Sequence, residues 1–262
     1  MRKRIILMIL ILVFSVPQSI LADENSSVHT WKSLNNTSDQ ILQLVKQQEF
    51  EEAKQLLDYF SASFLEVDFQ KEGVTMSALR TVTSSFESAV EAVTAMDMSL
   101  DRRIYKVTAF RLAVDALSSD YHPLWLHTEE SIMNALSRMK ETVEESEIQA
   151  FQHRFNEFLR HYEMIRPALF IDIEPQQLQR IDSQINYLES IRSGHVDEDK
   201  VLSHLTIMES EWSNLYKRVK EDNADPSLWW VMFSIGGMIT LSLSYVGWKK
   251  YKAEKQKVRQ KD

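Results

Sequence analysis

The chain has 262 residues, 44% hydrophobic and 26% charged, with a formal net charge of −8 and no cysteine. The lack of cysteine excludes a disulfide framework, a thiol nucleophile and a thiolate-bound zinc site. Five glycines and five prolines are too few for the turns of a large β protein, so the composition points to helices.

The N-terminal stretch MRKRIILMILILVFSVPQSILADE opens with Arg2, Lys3 and Arg4 and continues as an apolar run from Ile5 to Phe14. Pro17 breaks the run before Ile20, Leu21 and Ala22, just ahead of Asp23. This is the anatomy of a secretory signal peptide over residues 1–22, with an uncleaved N-terminal anchor as the alternative.

Residues 23–227 carry helical periodicity along nearly their whole length. Thr37 and Gln40 resemble a capping box ahead of Ile41, Leu42 and Val45. The segment FEEAKQLLDYFSASFLEV places Phe50, Ala53, Leu57, Phe60 and Phe64 on one stripe. After Gly73, the positions Leu79, Val82, Phe86, Val90 and Val93 recur at spacings of three and four. Beyond a break at 97–99 come Ile104, Val107, Phe110, Val114 and Leu117.

Pro123 is placed to open the next helix, with Trp125, Ile132, Leu136, Met139 and Val143 on its buried side. The pattern skips at 144–147 and resumes as Phe151, Phe155, Phe158, Tyr162 and Ile165. That skip is either a register shift within one long helix or a boundary between two. Pro167 and Pro175 bracket ALFIDIE, read as a short extended piece. Pro175 then opens a helix carrying Leu178, Ile181, Ile185, Leu188 and Ile191, which Gly194 ends. Asp197 caps the last helix, whose stripe is Val201, Leu205, Met208, Trp212, Leu215 and Val219.

The expected fold is therefore all-α: an antiparallel helical bundle or short helical solenoid outside the cytoplasm, with one C-terminal transmembrane helix. The segment ILQLVKQQEFEEAKQLLDYF looks like a tetratricopeptide-like hairpin, but no 34-residue repeat recurs with its signature.

Residues 228–248 contain no charge and are long enough to cross a hydrocarbon core of roughly 30 Å. Trp229 and Trp230 stand at one end, with Tyr245, Trp248 and Tyr251 at the other, as interfacial aromatic belts do. Lys249, Lys250, Lys252, Lys255, Lys257, Arg259 and Lys261 follow, against only Glu254 and Asp262. The positive-inside rule places this tail, residues 249–262, in the cytoplasm and residues 23–227 outside it.

Residues 23–227 hold 36 acidic and 20 basic side chains, a net charge of about −16. Such a domain repels nucleic acid and anionic lipid head groups, so no nucleic-acid partner is expected.

Sites of chemistry are scarce. His153, Glu157 and His161 fall at i, i+4 and i+8 as metal ligands could, but they lie opposite the stripe of Phe151, Phe155, Phe158 and Tyr162. A solvent-facing row with helix-stabilising pairs explains them better. Glu141, Glu144, Glu145 and Glu147 lack the glycine turn of a calcium loop and read as a solvated face. His122, Pro123 and Trp125 either line a pocket or staple the start of a helix. There is no GxSxG, no HExxH and no phosphate-cradling glycine loop, and nothing calls for a cofactor.

The stretches FEEAKQLL, FRLAVDAL and PSLWWVMFSIGGMITLSLSYVGWKK, set in this layout, resemble the YpjB sporulation protein family of endospore-forming bacilli. The resemblance implies an association with spore formation and carries no functional residue over. The leading expectation is a non-enzymatic membrane protein whose helical domain engages another protein outside the cytoplasm. A sensor of a ligand or envelope fragment, acting through a cytoplasmic partner, is the second reading. An exported envelope hydrolase is the third.

Overall fold

A computed structural model describes residues 21–119, 122–191, 197–222 and 226–259. All of the regular structure described is helical. The helices are α1 (Leu21–Gln47), α2 (Phe50–Leu65), α3 (Met76–Thr94), α4 (Leu100–Ser118), α5 (Glu129–Glu144), α6 (Ile148–Asp172), α7 (Pro175–Ile191), α8 (Glu198–Asp222) and α9 (Pro226–Arg259). A 3₁₀ turn, Leu124–Thr128, precedes α5. The chain falls into two compact units, one up to Tyr216 and one from Lys217 on. The expected signal peptide lies almost wholly outside the described residues, as does the expected stop at Gly194.

In the first unit α4 is the central element, packed against α1, α3 and α6. From Leu112 to Ala116 five consecutive residues are buried, so one turn of α4 is enclosed on every side. A core of Leu34, Ile41, Val45, Leu57, Phe60, Val82, Ala89, Val107 and Phe110 unites α1 to α4. Burying each such large aliphatic or aromatic side chain contributes about 1.5–3 kcal/mol. Small residues on α3 (Ala78, Ser85, Ala89 and Ala92) are buried there too, which lets neighbouring backbones approach closely.

Aromatic rings on α6, α8 and the 3₁₀ turn fill the other part of this unit. Trp212 meets Phe158 and Tyr162 edge-on at centroid distances of 6.2 and 6.0 Å. Tyr216 lies 5.4 Å from Trp125.

Local sequence accounts for most helix ends. Thr75 caps α3 by accepting from the backbone N–H of Ala78 at 3.1 Å. Asp197 stands just before α8, its carboxylate accepting from the backbone N–H groups of Asp199 and Lys200, as expected of the cap. Gln48 and Ser146, just past the ends of α1 and α5, adopt positive φ of 64° and 55°, and Gly73, closing the turn between α2 and α3, adopts 67°. Each closes the same pair of bonds: Glu49 N–H to Leu44 O, Val74 N–H to Phe69 O and Glu147 N–H to Thr142 O accompany the shorter inner bond. This is the Schellman arrangement that satisfies terminal carbonyls.

Two expectations are corrected, and one left open is decided. Thr37 does not start a helix: it is buried in the middle of α1, and its hydroxyl donates to Ser33 O at 2.9 Å, one turn back. The residues ALFIDIE are not an extended piece between prolines, because α6 runs through Pro167 to Asp172. An interior proline costs about 3 kcal/mol, but the helix continues because that keeps Ile165, Ala168 and Leu169 on the buried side. Finally, the skip at 144–147 is a true boundary between α5 and α6, turned by Ser146.

Candidate functional site

Two features of the first unit bring unusual side chains together: a buried polar seam and an open apolar groove. The seam runs where α1, α4, the 3₁₀ turn and α6 meet. Asp115, only 4% exposed, accepts from Asn35 Nδ2 at 3.1 Å and from the Leu124 backbone N–H at 2.6 Å. Arg111 donates from Nε to Asp39 at 2.7 Å and from Nη1 to the Asn35 side-chain oxygen at 3.3 Å. Trp125 Nε1 donates to Asp172 Oδ2 at 2.7 Å. Burial pushes the Asp172 carboxyl above the ordinary carboxylate value; the indole bond opposes this, and the Asp115 charge adds to it.

Chemically, the seam is a fastening. Both Asp115 oxygens are occupied by donors of the protein itself, and its position excludes solvent. The sequence pattern marked Trp125 but missed Asp115 and Arg111, because neither falls on the apolar stripe of α4. His122, with φ of 57°, and Pro123 set the turn that delivers Leu124 and Trp125 to these carboxylates. HPLW is therefore a helix start with a buried aromatic anchor.

The row of His153, Glu157 and His161 stays on one side of α6, as its spacing requires. Glu157 accepts from Arg154 at 3.0 Å and faces Arg138 at 3.7 Å, and these partners hold its carboxyl below the ordinary range against a smaller effect of burial. Burial lowers the His161 imidazole. No group of three His, Asp or Glu side chains among the described residues is arranged to hold a metal ion. Glu141, Glu144, Glu145 and Glu147 are all exposed.

The groove lies between α2 and α3. Phe60, Phe64, Phe69, Leu79, Val82 and Phe86 line a cleft of about 300 Å³, with Ser61, Thr83 and Glu87 among its polar lining. The rings contact one another: Phe60 stacks on Phe64 at 5.5 Å and on Phe86 at 5.8 Å, and Phe69 lies 4.9 Å from Phe64. Sequence periodicity placed Phe60, Phe64 and Phe86 on buried stripes. It had no signal for the side of Phe86 that faces the groove.

In the second unit α9 is a continuous helix of 34 residues, about 51 Å long at 1.5 Å per residue. Among the described residues it is the one helix long and apolar enough to cross a membrane, over Val231–Tyr251. That window begins three residues after the stretch expected from sequence. Tyr245, Trp248 and Tyr251 are well exposed on it, as are Lys249 and Lys250. Trp229, Trp230, Lys252, Lys255, Lys257 and Arg259 belong to the same helix, while their side chains, and Lys261 altogether, lie outside the described residues. Apart from Lys261, the aromatic and basic residues singled out in the sequence are thus brought onto one helix.

The family profile described as Sporulation protein YpjB (SpoYpjB) matches residues 31–260. The chain belongs to this family. It is 31% identical to a Bacillus subtilis (strain 168) protein titled "Uncharacterized protein YpjB", in an alignment that takes in 100% of this chain and 99% of that relative. No solved structure matches. The match to the YpjB family runs through the polar seam, the phenylalanine groove and the whole apolar part of α9, so both units belong to the family's chain. It assigns no catalytic or binding role to any residue.

Proposed function

We propose that this YpjB-family chain is a non-enzymatic, single-pass membrane protein of sporulation whose helical domain is a protein-interaction module on the outer face of the membrane. In this reading residues 1–22 are the export signal and residues 23–227 form an antiparallel bundle outside the cytoplasm. The span follows, and residues 249–262 are the cytoplasmic tail. One observation carries it: along Val231–Tyr251 none of the apolar window is buried. A soluble protein does not leave a contiguous apolar surface of that size bare, whereas a bilayer covers it. The lysines after Trp248 set the orientation, with the aromatic residues at the two ends as interfacial anchors.

The interaction role is supported by how the polar groups are used. The buried carboxylates of the first unit are engaged by protein donors, which leaves its outer surface as the part able to act on other molecules. The test is site-specific photo-crosslinking in sporulating cells, from exposed positions distributed over residues 23–227 of the full membrane-bound protein. A discrete adduct with another protein from neighbouring positions is expected. If no position yields one while the protein is present in the membrane fraction, the interaction reading fails.

A further inference from the structure

The groove between α2 and α3 is shaped for an elongated apolar partner. Its floor is four phenylalanines in mutual contact, and apolar surface continues beyond it. Leu65, at the end of α2, lines the groove and is 77% exposed. Met76 is 76% exposed at the start of α3, one turn ahead of Leu79. Met76, Leu79, Thr83 and Phe86 follow each other at spacings of three and four, the repeat that keeps side chains on one helix face. A small ligand held in about 300 Å³ would leave Met76, which lies outside the lining, in water. A helix laid along α3 would cover it.

Charge narrows the occupant. Glu87 lines the groove, and exposed Glu66 and Asp68 adjoin Leu65 and Phe69 in the chain. From Asp58 to Glu91 inclusive there are six acidic residues, the last paired with Lys106, against two basic ones, Lys71 and Arg80. This surrounding repels anionic lipid head groups, which disfavours the bilayer as the cover. It attracts cationic groups flanking an apolar anchor.

We infer that the groove is the docking site for a basic amphipathic helix of a partner protein, with apolar anchors at i, i+3, i+4 and i+7 seated on Phe64, Phe69, Leu79 and Phe86. This rests on the interaction-module reading and names its surface. The mode is the helix-in-groove recognition used by other α-helical proteins, where anchors supply affinity and flanking charges supply selectivity.

The experiment uses the full chain in nanodiscs of zwitterionic lipid, with protein-free nanodiscs as the blank. The probe is a fluorescent peptide of roughly 15 residues with leucines at those four positions and lysines around them; its counterpart carries glutamates for lysines. Saturable binding of the basic peptide is expected, with Kd on the order of 10–100 μM. Thr83→Trp, which puts bulk into the groove from an exposed position, should weaken it at least about tenfold. Glu87→Lys should weaken it about threefold to tenfold, with the effect fading at high salt.

Four outcomes of the binding experiment overturn the inference. Binding unchanged by Thr83→Trp removes the groove as the site. Equal binding of the acidic peptide removes the charge argument. Saturable binding of dodecanoate at lower concentration than the peptide, lost in Thr83→Trp, makes the groove an acyl-chain pocket instead. No saturable peptide binding up to about 1 mM also overturns it. Photo-crosslinking of wild type and Thr83→Trp separates the two levels of reading. Adducts that persist in the variant sink the groove alone, whereas absence of any adduct from the wild type sinks the interaction module itself.

Discussion

The indole N–H of Trp125 donates to the Asp172 carboxylate at 2.7 Å, tying the turn before α5 to the last residue of α6. Because burial raises the Asp172 carboxyl above its ordinary value of 3.8, the folded protein binds this proton more readily than the unfolded chain. Its contribution is therefore most favourable below the ordinary carboxylate value and is lost as pH rises through the folded one. Asp172→Asn keeps an acceptor for the indole and removes the charge. Relative to wild type, the variant should gain stability as pH rises from about 4 to about 7.

Asp182 supplies the opposite case. Burial opposes its charge, but Arg166, at 2.9 and 3.1 Å, and the Tyr162 hydroxyl outweigh that and hold it below 3.8. The stabilisation from this group is present above the ordinary value and lost as pH falls through the folded one. Asp182→Asn should therefore cost most near neutral pH and least in acid. Urea midpoints of the three proteins between about pH 3 and pH 7 check both signs. Parallel curves for wild type and Asp172→Asn would show that the seam carries no proton linkage.

Arg103 fastens the joint between α3 and α4. Its guanidinium donates to the carbonyls of Ala92, Val93, Ala95 and Met98 and sits 4.6 Å from the Phe50 ring centroid. A cation at the carbonyl end of α3 also meets the negative end of that helix dipole. Arg103→Met keeps the stem and removes every donor, so buried carbonyls lose partners at a cost of about 2–4 kcal/mol. Arg103→Lys should recover only part of this, since an ammonium cannot fork across four carbonyls. Urea unfolding reads the energies, and amide exchange at the start of α4 reads the loosened joint. A loss below about 0.5 kcal/mol for Arg103→Met would contradict the role, since surface substitutions cost that little.

How much of this was legible in the sequence follows from which forces act along the chain. The stripe of Val107, Phe110 and Val114 was readable because apolar periodicity records which side of a helix is covered. Burial of Leu112 and Asp115 was not, since that turn of α4 is enclosed on every side and leaves no exposed face to give contrast. Arg103 and Asp115 gave no signal, because the tertiary donors and acceptors that hold them inside leave no mark on local periodicity. Pro167 read as a stop because local propensity argues for one, yet core contacts on both sides override it. The groove left no signature, because the residues that line an uncovered face have the same spacing as those of a covered one. The apolar stretch of α9 was legible, since its length and flanks are local properties, but the helix continues to Arg259, past the expected end at 248.

Three left-handed turn residues give a set of substitutions with opposite signs. Gly73 has φ of 67° and no heavy atom within 4 Å of a built Cβ, so Gly73→Ala meets no clash, only the left-handed penalty of about 1–2 kcal/mol. Gln48 and Ser146 already bear that penalty at φ of 64° and 55°. Gln48→Gly and Ser146→Gly should each be stabilising, by up to about 1 kcal/mol after the added chain entropy of glycine is subtracted. Thermal midpoints test the set, and a destabilising Gln48→Gly with intact helix content would mean that its side chain contributes more than its backbone strain costs.

The absence of cysteine makes orientation directly measurable, because any thiol introduced is unique. Glu145, exposed at the turn after α5, reports on the large domain, and Lys257 in the basic stretch of α9 reports on the tail. With the domain outside and the tail inside, a membrane-impermeant maleimide should label Glu145→Cys in intact protoplasts, while Lys257→Cys should react only after permeabilisation. Labelling of Lys257→Cys alone would invert the topology, and the positive-inside argument from Lys249 to Lys261 would be wrong. Protection of both sites would mean that the domain is never exported, so that the apolar face of Val231–Tyr251 needs a cover other than a bilayer crossing. Glu145 stands exposed on a surface turn, so lost labelling there reports on location and not on folding.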